Sequence, residues 1–448
     1  MIERLWAGAA PPEYCISGYG TGAPMPLRVR VALLCLWGQQ QCAAAATPSS
    51  GITVGRLTLK LDPATQTAAG LGLAGAAGAD GFSFTKAQGH ISLGDAGIRA
   101  RPAGAGAGAG WSAWRSAGAS PMGSTVCSKL PCRANLTLVG GPAAPTFTMV
   151  REWERGPNAT LRLVIKVTNT GAEPLEIGGL GLAMPFAWSA GTAAGDLAST
   201  FADPAITGEH GYVSVTRLSG KREVLMVTTG RDEAWCQAGK EGWCRTSLEA
   251  WDTPAKVGAG AALSAGGRAA AAAGGPDNGA KEWLCHTKAY AADWANASKA
   301  WLPPTSITMA PGQAKDYVLL FSVADDLRSK DAALSAADTA LVHGIPGYIL
   351  GTDMTTAHLM VLPAPGRKLL SATSDTPTAL AVGEIGPTAE GWLRVPIRAL
   401  SGDGRVRLTL TYSDRDAATK TVQVINYRTL PPFDQHLARY GDYQARTT

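Results

Sequence analysis

Six of the 13 tryptophans, Trp235, Trp243, Trp251, Trp283, Trp294 and Trp301, fall between residues 235 and 301 of a 448-residue chain. An indole offers a flat apolar face and one N–H, which suits stacking on the apolar face of a sugar ring. The same stretch interleaves Glu249, Asp252, Glu282, His286 and Lys288, groups rarely buried without partners. Glycosidic cleavage needs a protonated acid and a second carboxylate about 5–9.5 Å apart across the sugar. Glu249 and Glu282 are the candidates for that pair, and Trp251 and Trp283 for saccharide contact. His286 and Lys288, two residues apart, face one side if their segment is a strand and could donate to a sugar hydroxyl or carboxylate. His210, ahead of Gly211 and Tyr212 at a strand start, is a similar candidate. Against these stand ordinary roles: indoles as sandwich core, carboxylates in solvated ion pairs, and histidines as packing groups.

Other chemistries find little support. There is no G-x-S-x-G elbow, H-E-x-x-H, P-loop or EF-hand loop. A G-x-G-x-x-G at Gly70, Gly72 and Gly75 lies in a Gly/Ala repeat without βαβ context, so no dinucleotide is expected. Cysteine spacings lack C-x-x-C with paired histidines, so no zinc site, other metal or cofactor is expected. Cys285 beside His286 is an adjacency in sequence, which is not how a fold arranges a nucleophile and its base. Lys and Arg number 40 against 35 Asp and Glu, a net +5 without a basic block, and a nucleic-acid partner gains no electrostatic support. No run approaches the ~18 apolar residues of a membrane span.

The N-terminal region predicts export. From Met25, Arg28 and Arg30 form a basic flank, Val31 to Trp37 an apolar stretch, and Ala43 to Ala46 a small-residue cleavage region, the order of a signal peptide. Residues 1–46 read as an upstream extension (1–24, with Met25 as the physiological start) followed by that signal, and the mature protein as secreted. Cys127/Cys132 and Cys236/Cys244 have spacings suited to short local disulfides, leaving Cys285 odd. Sequons at Asn135, Asn158 and Asn296 fit glycosylation in a secretory pathway.

The elements needed to position these groups are mostly strands. Leu161 to Thr168 and Pro174 to Ile177, around Asn169-Thr170-Gly171, read as a hairpin, as do Val213 to Leu218 and Val224 to Thr229. Tyr317 to Val323 is a further apolar run, and Val406 to Tyr412 and Thr421 to Tyr427 flank a polar turn. Ala332, Leu334, Ala337 and Leu341 mark one helix, about Ser329 to Leu341. The Gly/Ala tracts at Ala68 to Ala79, Ala103 to Gly110 and Gly258 to Gly275 read as flexible loops. The fold class is mainly β with few helices: a large β-supersandwich over 51–345, a small Ig-like β-module over 346–428, and the start of a helix over 429–448.

Thr168 to Phe186 (TNTGAEPLEIGGLGLAMPF), His210 to Gly220, Glu282 to Tyr317 and Gly344 to Leu350 resemble a domain-of-unknown-function family of secreted fungal and bacterial proteins that is six-hairpin-glycosidase-like. Thr58 to Leu71 and Ile91 to Arg101 match its opening strands less specifically, and the resemblance covers about residues 55–430. It implies a galactose-mutarotase-like β-supersandwich, a small β-module and a C-terminal (α/α)6 barrel carrying glycosidase chemistry, of which this chain holds only the beginning. The resulting expectation is a secreted carbohydrate-active protein that contacts a poly- or oligosaccharide without cleaving it alone. The alternatives are an active glycosidase represented by a truncated chain, or a structural sandwich without ligand.

Overall fold

The computed structural model describes residues 51–447 except 63–64, 76–80, 83–91, 107–108, 123–126, 128, 187–199, 218–219, 221, 238–243, 253–280, 292–299 and 414–419. The signal segment, Trp243, Trp294, Asn296 and the tract Gly258 to Gly275 lie outside the described residues.

The strand Leu161–Asn169 alternates apolar and polar residues along much of its length, and Phe147–Arg155 and Ala314–Ala324 flank it in register. Period-two alternation is what a sheet with one buried face requires. These three lie within a 13-stranded sheet. Its spatial order is Thr200–Ala205, Tyr212–Arg217, Val224–Thr229, Ala314–Ala324, Leu161–Asn169, Phe147–Arg155, Cys132–Gly140, Ser112–Pro121, Ala96–Pro102, Leu175–Met184, Lys281–His286 and Ala250–Asp252. Ile307–Met309 adds to Leu175–Met184. A smaller sheet of Ile52–Val54, Leu57–Leu61, Ala68–Leu73 and Gly81–Phe82 packs on it. Val54, Leu59, Leu71 and Phe82 share one core with Trp153, Ile165, Leu319 and Phe321.

Leu175–Met184 is buried at every position. Its glycines explain how the outer face is covered without steric conflict. A Cβ on Gly178 would lie 2.3 Å from the Trp111 ring, and one on Gly179 would lie 2.8 Å from Tyr290. Only bare backbone lets both rings approach.

The second module has its own core, including Leu359, Val361, Leu408, Leu410, Tyr412, Ile425 and Tyr427. One of its sheets carries Leu341–Ile345, Ala357–Leu362, Leu393–Ala399 and Leu380–Val382, and the other Ile349–Gly351, Lys420–Leu430, Gly404–Ser413 and Leu369–Ser374. Leu341–Ile345, the strand just before residue 346, pairs with Ala357–Leu362 and so joins this module's sheet.

The protein is mainly β, and three strand or helix expectations change in detail. Val224–Thr229 does pair with Tyr212–Arg217, and Lys420–Leu430 with Gly404–Ser413. Leu161–Asn169 and Leu175–Met184, however, do not form a hairpin. The first pairs with Phe147–Arg155 and Ala314–Ala324, the second with Ala96–Pro102 and Lys281–His286. The Asn169 side chain explains the divergence, since its Nδ2 donates to Glu173 O at 2.9 Å and Met309 O at 3.0 Å and leads the chain away. Ala68–Leu73 is a strand with Ala68 and Leu71 in the core, because alternate small residues still pair through their backbone. The helix ends at Ala336, after which Asp338 takes a left-handed φ of 62° and Leu341 enters a strand. Ala103 and Gly104 lie in a turn. Phe433–Thr447 is a helix with Leu437, Tyr440 and Tyr443 exposed. Among the described residues no helix is long and apolar enough to cross a membrane.

Candidate functional site

The acid and base candidates lie inside the protein. Glu249 Oε2 accepts from Thr287 Oγ1 at 2.8 Å, and Oε1 accepts from Ser247 Oγ at 3.3 Å and also from Thr305. His286 Nδ1 lies 2.9 Å from Thr305 Oγ1 and 4.0 Å from Glu249 Oε1, while its Nε2 lies 3.1 Å from Tyr317 OH. All of Glu249, His286 and Tyr317 are buried. Burial pushes the Glu249 carboxyl up to about 8. Burial, reinforced by Lys315, pushes His286 down to about 3. At neutral pH the site therefore holds a neutral acid and a neutral imidazole. Its groups answer one another, and it is closed to a glycosidic oxygen.

Glu282 is fully buried, and its Oε1 accepts from Arg115 Nη1 at 2.6 Å. It thus faces a different partner from Glu249 and does not make an acid pair with it across an open cleft. His286 and Lys288 also part company. The strand ends at His286 and Lys288 opens a 3-10 turn, which breaks the alternation that would have put them on one side. Lys288 instead reaches Glu176 Oε1 at 2.8 Å, where Arg101 Nε also meets Oε2 at 2.8 Å. Burial works against ionisation of Glu176, but hydrogen bonds from Lys288, Arg101 and Ser306 outweigh it and hold the carboxyl down at about 2.

His210 is a structural link. Its Nδ1 accepts from the Ala340 N–H at 3.1 Å, so Nε2 carries the proton and meets Thr421 Oγ1 at 3.0 Å. Trp283 and Trp235 are core, and the Trp283 indole N–H donates to Ser247 O at 2.7 Å. Trp251 is half-buried against the same core, opposite Trp283 in register. The indole expected to face sugar at Trp283 faces the interior instead.

Trp301 behaves differently, at 46% exposed. Its N–H donates to Ile206 O at 3.2 Å, its carbonyl accepts from Arg407 Nε at 3.3 Å, and the Arg405 guanidinium sits 5.2 Å from the ring centroid. The side chain is thereby fixed between the two modules. Beside it runs a groove of about 200 Å³, lined among others by Tyr212, Tyr348, Gln423 and Asn426. Tyr348 is 43% exposed, and its hydroxyl donates to Val342 O at 3.1 Å. Gln423 is engaged, donating to Ala340 O at 3.2 Å and accepting from Tyr412 OH at 2.8 Å. Neither side-chain amide atom of Asn426 has a hydrogen-bond partner. Sequence reasoning placed Trp301 in the cluster without singling it out, and it missed Tyr348 and Asn426, which become neighbours only when the modules meet.

Cys127 and Cys132 form a disulfide, whereas Cys236, Cys244 and Cys285 are buried thiols. The second disulfide expected from spacing is thus replaced by a thiol pair in which Cys236 and Cys244 hydrogen-bond. Asn135 is exposed on its strand, and Asn158 is exposed with its Nδ2 donating to Ala336 O at 3.2 Å. Among the described residues no group of three His, Cys, Asp or Glu side chains is placed to hold a metal ion.

This sandwich and its attached module define a family of proteins. The chain belongs to the family of unknown function DUF5695, whose model matches residues 65–448. A solved structure of a polysaccharide lyase shares the fold with a TM-score of 0.56 at 12% identity. The match covers 85% of this chain and 47% of that one, so the chain spans about half the length of the structure it resembles. No curated protein matches the sequence.

Proposed function

We propose that this chain is the β-sandwich part of a secreted, carbohydrate-active protein of glycoside-hydrolase-like or lyase-like type, and that it contacts a polysaccharide rather than cleaving one with its own described carboxylates. The observation that carries this reading is the contrast between closed and open chemistry. Glu249, Glu282 and His286 are buried, each with a protein partner. Trp301 and Tyr348, held by hydrogen bonds, keep aromatic surface open at the seam. Preorganised aromatic faces of that kind suit sugar stacking. The fold shared with a polysaccharide lyase supports the same substrate class. Export is supported by the signal-like N-terminus, the Cys127–Cys132 disulfide and the exposed Asn135 sequon.

The test is affinity electrophoresis of the chain through gels containing individual polysaccharides, paired with assays for reducing ends and for unsaturated products. Retardation by at least one polysaccharide without product formation is expected. Retardation by none refutes the reading. Product formation that Glu249→Gln abolishes in a folded protein refutes the non-catalytic part.

A further inference from the structure

Asn426 lies on the face of Lys420–Leu430 that turns away from the second module's core. Its neighbours in sequence, Ile425 and Tyr427, are in that core, and alternation sends Asn426 the other way. It pairs in register with Arg407, the residue whose side chain holds the carbonyls of Ala300 and Trp301. Asn426 therefore stands in the groove wall beside the Trp301 platform. Both of its amide atoms are shielded yet unpartnered. A shielded amide left without partners costs stability, and a turn of the Asn426 side chain into the groove, where a ligand's hydroxyls answer it, recovers that cost on binding.

Resting on the reading above, we propose that the seam groove is a sugar-binding subsite. In it one pyranose unit of a polysaccharide packs its apolar face on Trp301, and Asn426 donates Nδ2–H to one ring hydroxyl and accepts from a neighbouring one at Oδ1. A side-chain amide offers a donor and an acceptor side by side, matching two vicinal hydroxyls. The volume of about 200 Å³ is below the roughly 300–1,000 Å³ of sites for drug-sized ligands, which suits a single ring whose chain continues along the open groove. Tyr348 also lines the groove, its ring 5.5 Å from Tyr427 and its hydroxyl tied to Val342 O. Since the lining comes from both modules, binding also joins them. The shared chemistry is an apolar ring face with vicinal hydroxyls, common to neutral and uronate sugars.

The test compares wild type, Asn426→Leu, Trp301→Ala and, on a distant strand, Val139→Ser in gels cast with neutral or with uronate-containing polysaccharides. The melting temperature of each variant is recorded alongside. Asn426→Leu keeps the side chain's size and removes only the unpartnered amide, so its melting temperature stays level or rises. Its affinity falls at least about tenfold, equivalent to about 1.4 kcal/mol. Trp301→Ala loses as much or more, and Val139→Ser binds as wild type. If Trp301→Ala fails to fold, Asn426→Leu decides. Wild-type binding that survives in Asn426→Leu overturns the groove subsite and leaves the broader polysaccharide reading intact. A wild type retarded by no polysaccharide overturns both. The gel type that retards the wild type separates the neutral from the uronate source.

Discussion

Arg245 and Arg367 approach one carboxylate oxygen from the two modules, each placing a guanidinium nitrogen 2.8 Å from Asp338 Oδ2. Arg245 also reaches Thr229 O at 2.9 Å, and Arg367 Nη1 reaches Thr421 Oγ1 at 3.1 Å. Asp338 sits in the linker between the modules, just before Ala340 donates to His210. Glu209 continues the junction by accepting from the Val422 N–H at 2.9 Å. The seam beside the groove is thus held by a buried charged network, and the apolar contacts of Leu334 and Leu341 with Val224 and Met226 flank it.

Removing the shared carboxylate leaves two buried cations facing each other. Asp338→Asn tolerates the left-handed φ of 62° but loses the charge. Breaking a buried pair by deleting one partner typically costs about 3–5 kcal/mol. Asp338→Asn is expected to lower stability by that order in urea unfolding. A loss below about 1 kcal/mol would show that the two arginines are satisfied by their backbone and hydroxyl acceptors.

The buried Glu249–His286 site gives stability a characteristic pH profile. Glu249 has a folded pKa of about 8, raised by burial from 4.5. Folding therefore favours its protonated form, a contribution present below 4.5 and lost as pH climbs to about 8. His286 runs opposite. Its folded pKa of about 3 lies below 6.5, so the proton it must shed costs stability below 6.5 and nothing above it. Between 4.5 and 6.5 the two slopes offset each other, and above 6.5 only Glu249 remains. Stability is expected to fall from pH 6.5 to 8, by up to about 1.4 kcal/mol per unit. Denaturant midpoints across that range for wild type and Glu249→Gln check this, with the variant flat. Parallel slopes would assign the effect to another group, such as Glu209, whose carboxyl burial also raises.

Local pattern made much of the fold legible. The strands around Val227 and Leu410 pair as their turns predicted, because a short polar connection leaves little choice of partner. The partner of Leu175–Met184 was hidden for the opposite reason, since its neighbours Ala96–Pro102 and Lys281–His286 are distant in sequence. Composition misled at Ala68–Leu73, where backbone pairing overrides small side chains. At the site, tryptophan density correctly marked a region, but density cannot tell Trp283, whose N–H is answered inside at Ser247, from Trp301, whose ring stays open at the seam. That distinction depends on Ile206 and Arg407, 201 residues apart in sequence, both meeting Trp301, which no local spacing encodes.

The cysteines offer a direct chemical check on a point where spacing and structure disagree. Burial raises the Cys236 thiol, raises Cys244 to about 12, and lifts Cys285 well above the usual thiol range. Thiols held so far from ionisation are poor nucleophiles at neutral pH. Iodoacetamide is therefore expected to leave all three unlabelled in the native protein and to label all three in denaturant without reductant. Cys127 and Cys132 should take label only after reduction. Peptide mapping by mass spectrometry reads each position separately. Label at Cys236 and Cys244 that requires reductant would restore the disulfide their spacing predicts and replace the thiol pair beside Asp232, whose backbone contacts both residues at 3.1 Å and 2.8 Å.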